Sequence, residues 1–168
     1  MVANLSAHKR GWDERWEEFS AWAEQGKRCH DELLRLIDAD TQAFNAIMAA
    51  FKLPKGTDAE KTAQKAAVEA ATCGAIEIPL RVMEVSLESM DTIKAMAEHG
   101  NPASASDAGV GALCARSAVI GAELNVRINA KDLADESKRV DYLARAAKIR
   151  AKAEALEAEI LALVEPNL

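Results

Sequence analysis

The stretch Thr57–Pro102, TDAEKTAQKAAVEAATCGAIEIPLRVMEVSLESMDTIKAMAEHGNP, carries a start signal, one internal breaker and a stop signal. Thr57-Asp58-Ala59-Glu60 is a capping box: the threonine hydroxyl and the glutamate carboxylate can each satisfy a free amide at a helix start. Gly100-Asn101-Pro102 ends the run. The pattern predicts one long helix from Thr57 to about His99. Pro79 removes one backbone hydrogen bond within it and is expected to bend it near Gly74 to Ile78.

Upstream, Asp13 to Phe51 reads as helix. Trp12, Trp16 and Phe19 fall at helical spacing, and Leu33, Leu34, Ile37, Phe44, Ile47, Met48 and Phe51 continue an apolar stripe expected to face a core. Gly26 either interrupts this helix or is absorbed by packing. The turn KLPKGT, residues 52–57, stops it. Downstream, Ser104 to Asp107 offers a second cap, of the form S-x-x-D, before a helix built almost wholly from Gly and Ala that runs to about Asn125. NVRINAKDLAD, residues 125–135, is less regular, and a bent helix end or a short extended stretch both fit it. Asp132 or Asp135 then caps a last helix to about Val164. Its apolar positions are Leu143, Ala146, Ala147, Ile149, Ala153, Leu156, Ile160 and Leu163, and the charges between them form a solvated face. The fold class expected is all-α: one domain over residues 1–168, an antiparallel bundle of about five long helices.

Composition agrees. Apolar residues are 49% of the 168-residue chain, but aromatics only 4%. The core must therefore be made of aliphatic side chains, which suits packed helices better than strands. The net charge of −6 disfavours contact with nucleic-acid phosphates. No apolar span of membrane length occurs, and no secretory leader pattern. Cys29, Cys73 and Cys114 are too few and too scattered for a disulfide framework, so reduced, buried thiols are expected, as in a cytoplasmic protein.

Familiar site types are missing. Cys29 and His30 are adjacent and diverge by about 100° on a helix, so they do not converge on a metal. His8, His30 and His99 lack ligand spacing. Gly109-Val110-Gly111 falls inside a helix rather than in a phosphate-binding loop. Carboxylates remain. Asp38 and Asp40 sit in mid-helix, where aspartate is a poor helix former, and Asp40 is one turn from Phe44. Asp107 stands at the mouth of the small-residue helix. Each has an ordinary explanation, as an exposed stripe-edge residue or a dipole-compensating one, and a functional one, as an acid facing a crevice.

Five segments, in order, carry a resemblance: MVANLS (1–6), DTQAFNAIMAAFKLPKGTDAEK (40–61), IEIPLRVME (76–84), GNPASASDAGVGALCARSAV (100–119) and GAELNVRIN (121–129). Together they resemble the cyclodeaminase domain of formiminotransferase-cyclodeaminase, a family that includes single-domain methenyltetrahydrofolate cyclohydrolases. The family's domain opens with a glycine-rich turn and a small-residue helix before the segment similar to MVANL, so this chain looks truncated at its N-terminus.

The resemblance implies a chemistry. In 5-formiminotetrahydrofolate, N10 attacks the formimino carbon on N5, ammonia leaves, and 5,10-methenyltetrahydrofolate forms. It implies Asp40 as the principal acid/base and Asp107 as a cation stabiliser or orienter. Lys55 and Arg81 would meet the anionic glutamate tail, with Arg116 and Arg127 weaker candidates. Arg116 and Arg127 are equally open to pairing with a structural carboxylate such as Glu123. Asn101 and Asn125 would bond the pterin edge. No metal or redox cofactor is implied. The partners implied are a polyglutamylated folate, a second copy of the chain meeting at a shared interface, and a formiminotransferase domain. The alternatives are cyclohydrolase chemistry on the same cyclic cation and a non-catalytic helical assembly domain.

Overall fold

A computed structural model describes residues 1–168. It is all helix and turn. A short helix α1 (Val2–Ala7) leads through a 3-10 turn (Asp13–Arg15) into α2 (Trp16–Phe51). α3 (Asp58–His99), a 3-10 turn (Pro102–Ser104), α4 (Ala105–Ala130), α5 (Glu136–Val164) and a final 3-10 turn (Glu165–Asn167) follow. Four helices are long and one is short, so the bundle expectation holds. No helix is long and apolar enough to cross a membrane.

α3 is the spine. The Thr57–Glu60 capping box is formed in full: Glu60 N–H donates to Thr57 Oγ1 at 3.2 Å, and Thr57 N–H donates to Glu60 Oε2 at 2.8 Å. The helix passes through Pro79 unbroken. Proline cannot donate to the carbonyl four residues earlier, that of Ala75. The side-chain amide of Asn129, on α4, donates to that carbonyl instead, at 3.0 Å. A tertiary contact thus supplies the hydrogen bond that the proline removes.

Other starts differ from expectation. α2 begins at Trp16, after the 3-10 turn, and runs through Gly26 without a break. Ser104 precedes α4, but its side chain makes no capping bond, and it is buried. The S-x-x-D pattern therefore does not act as a cap. Residues 125–130 complete α4 as regular helix, neither bent away nor extended. Asp135, not Asp132, caps α5, accepting from Ser137 N–H at 3.0 Å and Lys138 N–H at 3.2 Å.

α4 packs on α3 and on α5. Its buried positions include Ala105, Ala108, Gly109, Ala112, Ala115, Val119 and Ala122. A Cβ at Gly109 would lie 3.4 Å from Val164 Cγ1, and one at Gly111 would lie 3.5 Å from Ile93. Small residues are therefore spent on close contact with two neighbouring helices of the same chain. The main core joins Ile76, Leu80, Met83 and Met90 of α3 to this face of α4 and to Ala146, Ala153 and Ile160 of α5. A lesser cluster under α1 stacks Trp12 on Phe19, ring centroids 5.5 Å apart. Of the cysteines, only Cys29 is buried; Cys73 is half-buried and Cys114 exposed, which corrects the expectation of three buried thiols.

The apolar stripe on α2 is not core. From Ile37 to Ala71, across the second half of α2 and the first of α3, only Ala50 is buried. Phe44 is 61% exposed and Phe51 56%. α4 ends beside Ala75, and the α4–α5 loop touches α3 at Glu69. Beyond that level α2 and α3 extend alone as a two-helix arm. Gln64 pins its tip by donating to the carbonyls of Phe51, at 2.9 Å, and Leu53, at 3.3 Å.

Candidate functional site

α2 and α4 flank α3 and barely touch each other. A trough therefore runs between them with α3 as its floor. It widens into two hollows, and the two candidate aspartates stand in different ones.

The first hollow, of about 510 Å³, has walls from α2 (Leu33, Leu36, Ile37, Asp40, Thr41) and α4 (Ala118, Gly121, Ala122, Asn125) over a floor of Pro79 and Val82. This volume lies within the range of small-molecule sites. Asp40 and Thr41 from α2 and Asn125 from α4 are the polar residues of this otherwise apolar lining, and all three are exposed to solvent. Asp40 makes no ion pair or hydrogen bond within the chain, and the same holds for the Asn125 side chain. Gly121 and Ala118 keep one wall flat.

The second hollow, of about 460 Å³, is closed at one end by α1: Met1, Val2, Ala3 and Asn4. Trp22, Lys27 and His30 of α2 and Asp107 of α4 contribute to it. Asp107 precedes Asn125 by 18 residues on one continuous helix, about 27 Å at 1.5 Å per residue. Within one chain, Asp40 and Asp107 do not share a reacting atom.

The remaining candidates lie elsewhere. Lys55 is exposed at the tip of the arm, well beyond the groove of its own chain. Arg81 is engaged with Glu84 at 3.3 Å and Glu32 at 3.5 Å. The Arg35 guanidinium, hydrogen-bonded to Glu32, holds that carboxyl down at about 2, and Arg81 adds to the effect. Arg116 is paired with Glu157 at 3.3 Å. Glu123 is 7% exposed and takes its charge partner from α5, Arg150, at 3.0 Å, rather than from Arg116 or Arg127. Asn101 works as a turn residue: its side chain accepts from Ala103 N–H at 3.2 Å, and its own N–H donates to Ser6 Oγ at 2.8 Å. No three His, Cys, Asp or Glu side chains gather as a metal-ligand set.

Sequence reasoning missed Thr41, Trp22, Lys27 and His30 as lining residues. Thr41 and His30 sit at helical spacing from Ile37, Leu33 and Asp40, and that spacing was the available signal. The trough itself had none, because it depends on how α2 and α4 splay over α3.

The family model described as formiminotransferase-cyclodeaminase matches residues 1–148. A methenyltetrahydrofolate cyclohydrolase of Methylorubrum extorquens is 35% identical over 168 residues, all of this chain and 81% of that protein. The formimidoyltransferase-cyclodeaminase of Gallus gallus is 36% identical over 135 residues, 80% of this chain but 25% of that larger protein. The crystal structure of formiminotetrahydrofolate cyclodeaminase from Thermotoga maritima superposes with a TM-score of 0.86 at 25% identity, covering 99% of this chain and 79% of that one. The chain, with Asp40 and Asn125 in an apolar groove, thus belongs to the formiminotransferase-cyclodeaminase family.

Proposed function

We propose that the chain is a formimidoyltetrahydrofolate cyclodeaminase, closing 5-formiminotetrahydrofolate to 5,10-methenyltetrahydrofolate with release of ammonia. The observation that carries this is the unpaired Asp40 carboxylate in one groove with Asn125. The flat pterin lies against Pro79, Val82 and the Gly121 wall, and Asn125 bonds its polar edge. N10 attacks the formimino carbon. Asp40 takes the proton that N10 loses and returns it to the departing amine, so that ammonia leaves as the N10–carbon bond gains its double-bond share. The substrate's formimino group and the methenyl product are both cationic, and the carboxylate stabilises that charge throughout. Holding N10 beside the carbon supplies a further part of the rate.

On this reading the protein is an ammonia-lyase of histidine degradation, cytoplasmic, working with no metal or redox cofactor, alongside or fused to a formiminotransferase domain. Polyglutamylated folates are its substrates. Asp107 is kept as a cation stabiliser or orienter at the second hollow, and Lys55, Arg81, Arg116 and Asn101 as contacts to the folate, each a proposal for single-residue substitution.

A second reading has its own support: the bacterial relative aligned over all of this chain is named a methenyltetrahydrofolate cyclohydrolase. There, water attacks the methenyl carbon, Asp40 accepts its proton and passes it to N5 as the carbon–N5 bond opens, and 10-formyltetrahydrofolate results. Giving the purified chain each substrate separately decides between them. Cyclodeaminase activity raises methenyl absorbance with one ammonia released per turnover. Cyclohydrolase activity consumes methenyl absorbance and releases none. A chain that does neither, and shows no saturable folate binding, contradicts both.

A further inference from the structure

We propose that Cys73 and Lys138 form a redox-sensitive modification site, at which hydrogen peroxide joins the thiol to the amine as a sulfenamide that ties α3 to α5.

The site lies where α3 meets the start of α5, outside both hollows of the trough. Cys73 is half-buried. Lys138, in the first turn of α5, brings its Nζ to 4.0 Å from Cys73 Sγ. The two residues are 65 positions apart, so the fold makes this contact and local sequence does not. Lys138 is otherwise held loosely. Asp135 Oδ2 lies 4.0 Å from the same nitrogen, and the side chain is half exposed. The amine can therefore close on the sulfur by turning about its own flexible stem.

A second group faces the same sulfur. Tyr142 is one turn beyond Lys138 on α5 and only 8% exposed. Its phenol stands against Glu77 and Cys73 without a well-aligned hydrogen bond to either. Burial first, then Glu77 and Cys73, push that phenol up, so it stays protonated. Glu77 is itself engaged by Arg145 at 3.8 Å, and the Arg145 guanidinium lies 5.8 Å from the Tyr142 ring. A thiol, an amine and a protonated phenol thus meet at one contact between two helices. Cys29 is buried and Cys114 exposed, and neither has a lysine donating to it.

The chemistry balances. Peroxide gives one oxygen to the sulfur, leaving the Cys73 sulfenic acid and water; the sulfur loses two electrons and the O–O bond takes them. The Lys138 nitrogen, in its neutral form, attacks that sulfur. The S–N bond forms as the S–O bond breaks. The oxygen leaves as water with the proton of the phenol, and the nitrogen returns a proton to the phenolate. An external thiol reverses the step: one molecule opens the S–N bond and frees the amine, and a second frees the Cys73 thiol as the pair leaves as a disulfide. The bridge closes a long loop, so it should raise the unfolding midpoint.

The test uses the whole chain carrying Cys114→Ser, which removes the exposed competing thiol. The protein is treated with a slight excess of hydrogen peroxide, digested and read by mass spectrometry. Peptides joined at Cys73 and Lys138 within one chain, lighter by two hydrogens than their sum, are expected. Dithiothreitol should separate them, and the unfolding midpoint should rise on oxidation and fall back on reduction. Lys138→Arg keeps the charge on an exposed side chain, so helicity should not change. It should abolish the joined peptides and leave a sulfenic acid that dimedone traps at Cys73. Tyr142→Phe keeps the packed ring and should slow the joining by about tenfold or more, as loss of a proton donor does. Sulfenic or sulfinic acid at Cys73 with no joined peptides in the parent protein would overturn the proposal. So would links from Cys73 to a different amine, or a midpoint that oxidation leaves in place.

Discussion

Asn129 repairs the break that Pro79 makes: its side-chain amide donates at 3.0 Å to the carbonyl of Ala75, the group the proline leaves without its helical donor. This ties the last turn of α4 to the spine at the level where the arm begins, just below the Asp40 groove. A buried carbonyl left without a donor costs about 1–3 kcal/mol, so Asn129→Leu should destabilise the fold by that order. Pro79→Ala restores the backbone donor. In the double variant, Asn129→Leu should cost much less, and an additive result in denaturant unfolding would contradict the repair.

Glu123 is buried in α4 and draws its charge partner from α5, while Arg150 also reaches Glu154 at 2.9 Å. Arg150→Met removes the charge partner of a carboxylate that is itself buried and should lower the unfolding midpoint. Glu123→Gln in that background should return part of the loss. Unfolding midpoints of the three variants check this.

Acid should fray two helix starts before the core melts. Glu60 is held below the ordinary glutamate value by the Thr57 backbone amide, and Asp135 below the ordinary aspartate value by the Lys138 backbone amide. A depressed folded value means that the stabilisation is complete above the unfolded value and is lost as pH falls through the folded one. Amide exchange at residues 58–61 and 136–138 should accelerate as pH falls through the carboxylate range, after correction for intrinsic rates. Uniform acceleration across α3 would argue against local capping.

Gly121 meets nothing within 4 Å where a Cβ would stand, yet it lines the Asp40 groove. Gly121→Ala should add up to about 1 kcal/mol of stability through helix propensity. Gly121→Leu should leave the fold intact but fill the groove, raising KM for folate by about tenfold, roughly 1.4 kcal/mol of lost binding. Unchanged KM in the leucine variant would place the folate elsewhere.

What could be read from sequence was what local chemistry decides. The Thr57–Glu60 box and the stop at Gly100 are signals satisfied within a few residues, and each appears in the structure; sequence narrows the start of α5 to Asp132 or Asp135, and Asp135 makes the cap. Ser104 carries the right residue type for a cap, yet it is buried and its side chain makes no capping bond, and burial is not written in the local pattern. Residues 125–130 looked irregular because Asn129 answers to Ala75, 54 positions away. The α2 stripe looked like core because helical periodicity reports an apolar face, not what covers it. Asp40 and Asp107 were legible as unusual carboxylates, but not as occupants of separate hollows, since that depends on the splay of α2 and α4.

Asp40→Asn is the most direct test. The substitution keeps size and groove shape and removes the proton acceptor. The central claim predicts that the variant binds folate as the wild type does, keeps its helicity, and loses methenyl formation and ammonia release by about 100-fold or more, the scale of general acid–base catalysis. A variant that turns over 5-formiminotetrahydrofolate at the wild-type rate would contradict it.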